Sequence, residues 1–188
     1  YPMHNSHYNP AFWVAPKDEE ALSDIEKIES AMLRATSFAI NQYNEVSKYV
    51  KSLGVNKPIH IGETGWATVS NGHYGSNGSK AADQYKSGKY YQLIREWSNR
   101  EKVSCFYFEA FDEQWKDAKN AQGSENHFGL ISLKGEAKYV IWDLVDQGVF
   151  EGLTRDGQQI MKTYNGDKEA LLEDVLVPPS EYGFVTQH

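Results

Sequence analysis

The stretch Ile59-His60-Ile61-Gly62-Glu63-Thr64-Gly65-Trp66 decides how the fold of this chain is interpreted. Its alternating, β-branched start predicts a short buried strand over residues 59–62. The two glycines mark where the strand ends and where the backbone turns or lets another group approach closely. Glu63 is therefore expected at the carboxyl end of a strand, which is where parallel α/β sheets and barrels display catalytic groups.

The composition excludes several classes of partner. The chain has 188 residues, of which 40% are hydrophobic, and a net charge of −7. Nucleic acids and anionic membranes attract basic patches, so we expect neither as a partner. No uninterrupted run of about 18 apolar residues occurs, so we expect no segment to span a bilayer. The 5 Trp, 12 Tyr and 8 Phe residues fit either a well-packed core or a surface for sugar rings.

Helical and extended patterns alternate along the chain. Apolar spacing predicts one long helix or a broken pair of helices over 18–53, and helices over 81–98 and 138–147. It also predicts strands over 59–62 and 103–111, and a possible further short helix over 168–175. This order favours an α/β fold with parallel strands. Two or three strands cannot close a barrel or cover both faces of a sheet. We therefore expect the chain to be part of a larger α/β unit or to pair with another chain.

Acidic residues follow both predicted strands. Glu63 ends the first strand, and Glu109 and Glu113 lie at and just beyond the end of the second. Lys116 follows closely, and Glu125 comes after the next loop. Glycoside hydrolysis needs two carboxyl groups, one to protonate the leaving oxygen and one to attack or to activate water. A nearby lysine helps to keep a carboxylate ionised. A lone glutamate is usually a solvated loop charge, but the strand-tip position favours catalysis for Glu63, whereas Glu109 equally fits a residue that orients a neighbour.

Three segments, taken in order, resemble one known family. Residues 62–66, Gly-Glu-Thr-Gly-Trp, are similar to the nucleophile motif of glycoside hydrolase family 17, the β-1,3-glucanases and related transglycosylases. Residues 108–116, followed by 125–130, resemble the last barrel strand of that family and the loop after it. Tyr1-Pro2-Met3-His4 is similar to the end of its sixth strand. Helix order and spacing agree from Tyr1 to about Gly152.

The resemblance implies a fold and a division of the chain. Residues 1–152 would be the C-terminal portion of a (β/α)8 TIM barrel, about strands 6–8 with their helices, and 153–188 an extension that packs on the barrel or trails from it. The general acid of the family lies on the fourth strand, in an asparagine–glutamate motif. We therefore expect the acid in upstream sequence or in a second chain carrying the N-terminal half-barrel. This polypeptide would then be inactive alone.

The resemblance also implies roles for individual residues. Glu63 would be the nucleophile of a retaining mechanism on β-1,3-glucan such as laminarin. Glu113, Lys116 and Glu125 would support it. The residues expected to bind the sugar are aromatic, namely Tyr1, Trp66, Phe111, Trp115 and Phe128. The implied location is secreted or periplasmic. Ala67 stands where plant members usually have proline, and Glu109 replaces a small or apolar residue, which points to a bacterial-type branch.

Two other functions fit the same residues. A transglucosylase would transfer the glucosyl group to a sugar instead of water, and a glucan-binding or interaction module would bind without turnover. We predict no cofactor and no metal. His4 and His7 lack an acid or cysteine partner at ligand spacing. The glycines in 71–78 lack the lysine–serine pair of a phosphate-binding loop.

Overall fold

Two short parallel strands and the helices beside them organise the fold. The computed structural model describes residues 15–70 and 80–180. Its helices and strands, in chain order, are α1 (Asp24–Ser52), β1 (Ile61–Thr64), α2 (Gln84–Glu101), β2 (Cys105–Tyr107), α3 (Trp142–Asp146), β3 (Thr154–Arg155), β4 (Gln158–Gln159) and α4 (Lys168–Glu173). β1 pairs with β2 in parallel, and β3 pairs with β4 in antiparallel orientation. The predicted alternation of helices and strands and the parallel pairing are confirmed.

Helix α1 begins later than predicted because of its cap. The side chain of Ser23 and the side chain of Glu26 form a reciprocal capping box, in which the Ser23 amide donates to Glu26 Oε2 at 2.8 Å. A capping box satisfies backbone donors that have no partner inside the helix. The residues before it form a separate short 3-10 turn over Lys17–Glu19. The predicted helix over 138–147 is likewise divided, into a 3-10 turn (Tyr139–Ile141) and α3.

The second strand is shorter than predicted because its backbone changes partner. The Phe108 amide still donates to Thr64 O at 2.7 Å. One residue later, the Glu109 amide donates to Phe128 O at 3.2 Å, and the Leu130 amide returns a bond to Glu109 O at 2.9 Å. Residues 109–112 therefore pair with 128–131 instead of continuing along β1. The loop over 112–127 is closed by this exchange, so its residues stay next to the strand tips.

β1 carries one more residue than β2 between their paired positions. Ile61 pairs with Cys105 and Thr64 pairs with Tyr107, with a shift in register between them. Two residues of β1 thus oppose the one residue between Cys105 and Tyr107. Such a bulge re-aims side chains that strict alternation would send to the other face of the sheet.

The bulge sorts the side chains of β1 onto two faces. Ile61 packs against the core on the helical side, and the Thr64 hydroxyl lies 2.7 Å from the Tyr90 hydroxyl of α2. Gly62 and Glu63 are both exposed. The glutamate therefore lies on the face away from α1 and α2, although it neighbours a buried residue in sequence.

The main core lies between the helical face of the strands and the helices α1 and α2. Its most buried members are Ile28, Ala31, Met32, Ala35, Trp66, Ala67, Tyr90, Ile94 and Phe128. Each large apolar side chain removed from water contributes about 1.5–3 kcal/mol. No helix in residues 15–70 and 80–180 is long and apolar enough to cross a bilayer.

The segment after residue 152 packs against the rest of the chain at more than one place. Ile160 belongs to a second cluster with Ile131, Ala137 and Ile141, and Leu171 of α4 is 1% exposed. The backbone then reaches α2, where the buried ammonium of Lys86 donates to Leu176 O and to the Asp83 carboxylate. These contacts connect residues on the two sides of position 152. The domain boundary at residue 152 stays a prediction.

A side chain at Gly65 would collide with the neighbouring backbone. An added Cβ would lie 2.1 Å from Phe108 O, a backbone atom held by the strand pairing. We expect Gly65→Ala to lower the free energy of unfolding by about 1–3 kcal/mol, as overpacking does, measured by urea unfolding followed by circular dichroism. Gly62→Ala is the matched control, since its Cβ would meet nothing within 4 Å, and its effect should stay within about 0.5 kcal/mol. Equal losses for the two variants would contradict the close approach at Gly65.

Candidate active site

Glu63 lies in a concavity on the open face of the two paired strands. The concavity is lined by Gly62, Glu63, Phe106, Tyr107 and Phe108. Phe106 is 66% exposed, a large value for a phenylalanine in a strand. Within the described ranges, Glu63 is the one carboxylate that lines this surface. The arrangement places an accessible carboxylate beside an apolar wall.

Lys116 connects two acids in the loop after β2. Its Nζ donates to Glu109 Oε2 at 2.8 Å and lies 3.0 Å from Glu113 Oε2. The same ammonium lies 3.7 Å from the centroid of the Phe108 ring, which adds a cation–π contact. The structure thus brings together Glu113 and Lys116, as the sequence predicted, and adds Glu109 as their third member. We call Glu109, Glu113 and Lys116 the acid–lysine cluster.

The two acids of the acid–lysine cluster differ in their affinity for a proton. Burial raises the pKa of Glu109 above its ordinary value, although the hydrogen bond from Lys116 opposes this. The hydrogen bond from Lys116 lowers the pKa of Glu113. Burial alone would lower the pKa of Lys116, but its bonds to Glu109 and Glu113 outweigh burial and raise it. Neighbouring carboxyl groups whose pKa values are pushed apart are the pairing that acid–base chemistry uses.

A buried ion pair fixes the start of this loop. Lys138 Nζ donates to Asp112 Oδ1 at 2.7 Å and to Thr68 Oγ1 at 2.8 Å. The same oxygen of Asp112 accepts the Gly129 amide at 2.9 Å, and Lys138 and Asp112 are 3% and 5% exposed. Burial lowers the pKa of Lys138, while the Asp112 carboxylate opposes that effect. Sequence reasoning missed Lys138, because its partner lies 26 residues earlier and nothing in the helical pattern marks it.

A buried amide closes the far end of the loop. Asn126 is fully buried, and its Nδ2 donates to Asp117 O at 2.9 Å and to Asn120 O at 3.0 Å. Its Oδ1 accepts the Asp117 amide at 2.8 Å. Glu125, the preceding residue and a predicted supporting acid, is exposed. The loop is therefore held at both ends, and Glu125 lies on its outside.

Two of the aromatic residues expected to bind sugar are core residues instead. Trp66 is fully buried and Phe128 is 2% exposed. The indole N–H of Trp66 donates to Ala81 O at 2.8 Å, which anchors the ring in the helical layer. The expectation that these two rings contact sugar is therefore wrong. Gly65 turns the backbone between the exposed Glu63 and the buried Trp66. Sequence order alone does not show on which face of the strands the Trp66 ring lies.

The remaining aromatic candidates fall into two groups. Trp115 is 71% exposed and Phe111 is 41% exposed, so both offer surface to a ligand. Tyr1 lies outside the described residues, as do His4 and His7.

Across residues 15–70 and 80–180, no group of three or more His, Cys, Asp or Glu side chains could hold a metal ion. The absence of metal and cofactor stays a prediction.

The acids on Lys116 should titrate separately. Glu113 should lose its proton at lower pH than Glu109, because the lysine lowers the pKa of Glu113 while burial raises that of Glu109. Carboxyl carbon-13 chemical shifts followed against pH measure both midpoints. In Lys116→Met, Glu113 loses its cationic donor and should titrate at higher pH than in the wild type. An unchanged Glu113 midpoint in that variant would rule out the lysine as the cause.

Removing one partner of the buried Asp112–Lys138 pair should strongly lower the free energy of unfolding. Lys138→Met leaves a buried carboxylate without its cation, and we expect a loss of about 3–5 kcal/mol in the free energy of unfolding. Urea unfolding at neutral pH measures it. Lys134→Met is the control, because Lys134 is exposed on the preceding turn and its effect should stay within about 0.5 kcal/mol. A similar small loss for Lys138→Met would show that the pair does not stabilise the loop.

Comparison with known proteins identifies relatives that are named as enzymes of glucans. An endo-laminarinase from Formosa Hel1_33_131, known from its crystal structure, is 62% identical, with a TM-score of 0.92 over 96% of this chain and 46% of that chain. A glucan 1,3-beta-glucosidase from Arthroderma benhamiae is 38% identical over 94 residues, which are 46% of this chain and 28% of that protein. The chain thus spans less than half the length of each of these relatives.

The family match covers β1, β2 and the loop that follows β2. Residues 44–142, just over half of the chain, match the model of the glycosyl hydrolases family 17. Together with the laminarinase structure, this match implies a TIM-barrel-type fold, of which the described residues form a part with few strands. The matched segment includes Glu63, Glu113, Lys116 and Glu125. The chain belongs to glycosyl hydrolase family 17.

Proposed function

We propose that this chain contributes Glu63 as the nucleophile of a retaining hydrolase of β-1,3-glucan. The observation that carries the proposal is the bulge in β1, since it accompanies an exposed Glu63 at the end of a parallel strand. In α/β barrels the catalytic groups lie at that end of the strands. The 62% identity to an endo-laminarinase supports β-1,3-glucan as the substrate class.

In this mechanism Glu63 forms a covalent bond to the sugar. Its carboxylate attacks the anomeric carbon, the bond from that carbon to the leaving oxygen breaks, and an acid protonates that oxygen. Water then attacks the anomeric carbon of the glycosyl–enzyme, releases the Glu63 carboxylate and restores the original configuration. A proton-donating carboxyl group about 5–5.5 Å from the nucleophile is needed for the first step.

The acid of this pair would come from another part of the barrel. The described residues provide one carboxylate in the concavity, Glu63, so a second must enter with neighbouring strands. We propose that residues 1–152 are the last three strands of the barrel and their helices, because the family motifs follow one another in that order along the sequence. Without the acid, hydrolysis of natural glucan would be slower by about 10²–10⁴-fold.

The acid–lysine cluster would bind and orient the sugar beside the nucleophile. Glu113 is held ionised by Lys116 and is partly exposed, so it can accept hydrogen bonds from sugar hydroxyls. The Lys116 ammonium is fixed by two carboxylates and the Phe108 ring, which limits its movement. Trp115 supplies an exposed ring one residue before the lysine. Rings of this kind stack on the apolar faces of sugars.

A substrate with a good leaving group tests the nucleophile without the acid. A laminaribioside that carries a dinitrophenolate leaving group and a fluorine beside the anomeric carbon needs no proton donor, and the fluorine slows release of the glycosyl–enzyme. The 188-residue chain should become labelled, and mass spectrometry of its peptides should place the sugar on Glu63. Glu63→Gln should remain unlabelled, because its amide is not a nucleophile.

Glu101→Gln is the matched control for this labelling, since Glu101 is an exposed glutamate at the end of α2. It should be labelled at the wild-type rate. Labelling of Glu63→Gln at that rate, or a sugar on any other carboxylate of the wild type, would contradict the assignment of Glu63.

A further inference from the structure

The backbone of Glu109 ties the acid–lysine cluster to a second segment of the chain. Its amide donates to Phe128 O at 3.2 Å, and its carbonyl oxygen accepts the Leu130 amide at 2.9 Å. Glu113 and Lys116 lie in the loop that follows, where the Lys116 amide donates to Glu113 O at 3.3 Å within a single turn. Glu109 is therefore the fixed point from which the charges of the loop can be held.

The bond between the Glu109 and Lys116 side chains is mostly shielded from water. These side chains are 13% and 17% exposed, whereas both partners of the Arg100–Glu101 pair lie on the surface. Exposed ion pairs fix a geometry only weakly, because water and salt compete for the charges. Glu113, the other acid on Lys116, is partly exposed. The ammonium is thus anchored by Glu109 on its more buried side and by Glu113 on its more exposed side.

Lys116 connects Glu109 to the concavity that contains Glu63. The ammonium lies 3.7 Å from the centroid of the Phe108 ring. Phe108 lines the concavity together with Glu63 and Phe106. The bond from Lys116 Nζ to Glu109 Oε2, at 2.8 Å, holds the ammonium over that ring. The position of Lys116 relative to the concavity therefore depends on Glu109.

The charge of Glu109 depends on Lys116 in return. Burial raises the pKa of Glu109 and the Glu113 carboxylate also raises it, whereas the hydrogen bond from Lys116 lowers it. Glu109 Oε1 is buried and has no hydrogen-bond partner within the described residues, so the ionised form relies on the bond at Oε2. Lys138 also interacts with the Glu109 charge, but it is already paired with Asp112. Glu109 and Lys116 therefore form one interdependent unit.

We propose that Glu109 is a positioning residue for glucan binding, which holds the Lys116 ammonium over the Phe108 ring so that it donates to a sugar hydroxyl at the concavity. The inference rests on the proposed function, in which the acid–lysine cluster binds the sugar. An ammonium has three hydrogens, so the two carboxylates that contact Lys116 leave one hydrogen for a glucose hydroxyl. Glu109 acts through Lys116 and does not itself touch the sugar.

Glu109→Gln tests this role in the 188-residue chain, because the amide keeps the shape of the side chain and removes its charge. In the wild type, the ring current of Phe108 should shift the ε-methylene protons of Lys116 upfield. In Glu109→Gln these signals should move toward those of Lys134, which is exposed. The variant should bind laminarihexaose, a linear β-1,3-linked glucose oligomer, about tenfold more weakly at neutral pH, with an unchanged circular dichroism spectrum. Glu101→Gln is the matched control and should bind as the wild type does.

A double-variant cycle with Lys116→Met shows whether Glu109 acts through the lysine. Lys116→Met alone should also weaken laminarihexaose binding about tenfold. Adding Glu109→Gln should cause no further loss, because no ammonium remains for Glu109 to position. Independent contributions would instead multiply to a loss of about a hundredfold in the double variant, and that result would contradict the positioning role.

The outcomes separate the positioning role from the proposed function. Wild-type affinity in Glu109→Gln, or unchanged Lys116 signals in that variant, would overturn the positioning role alone. The expected cycle in a chain whose Glu63 is not labelled by the fluorinated laminaribioside would overturn the nucleophile and leave the role of Glu109. An absence of binding by the wild type at millimolar laminarihexaose would overturn both the positioning role and the glucan substrate.

Discussion

The extra residue of β1 between Ile61 and Thr64 is the constraint on which the site depends. In a regular ladder Glu63 would lie on the same face as Ile61, against the helices, because side chains alternate with a period of two. The bulge lets Ile61 and Thr64 both face the helical layer, although they are three residues apart. Thr64 is held by the Tyr90 hydroxyl and by the Phe108 amide, both at 2.7 Å. Because Ile61 and Thr64 are held on the helical face, the residue between them, Glu63, lies on the opposite, exposed face.

Two groups of charged residues have different positions in the loop after β2. One is a buried ion pair that fixes the loop, and the other is the acid–lysine cluster of the candidate site. The Asp112–Lys138 pair is almost wholly buried and joins the loop after β2 to the backbone before α3. A buried pair seldom adds much stability relative to apolar side chains, but breaking it is costly, so it specifies one position for the loop. Lys116, by contrast, is partly exposed and divides its charge between two acids. That division leaves one carboxyl group with a raised pKa and one with a lowered pKa.

Local patterns in the sequence predicted the helices, the parallel strands and the strand-tip position of Glu63, because periodicity and glycine placement are local properties. The bulge was not predictable, since it depends on the register with a strand whose Cys105 pairs with Ile61 from 44 residues further along the chain. The burial of Trp66 was missed for a similar reason, because the turn at Gly65 sends the ring to a helix layer that the sequence does not locate. The hairpin of β3 and β4 could have been found, since Asp156-Gly157 is a strong signal for a two-residue turn, but it lies in a polar tail.

The position of Glu63 relative to Phe106 and Tyr90 tests the account most directly. In the folded 188-residue chain, nuclear Overhauser effects from the Glu63 side-chain protons report which aromatic ring lies beside it. We expect cross-peaks to the Phe106 ring, on the open face, and none to the Tyr90 ring. Cross-peaks from Glu63 to Tyr90, with none to Phe106, would show a regular ladder with the glutamate on the helical side and would contradict the proposal that it is an accessible nucleophile.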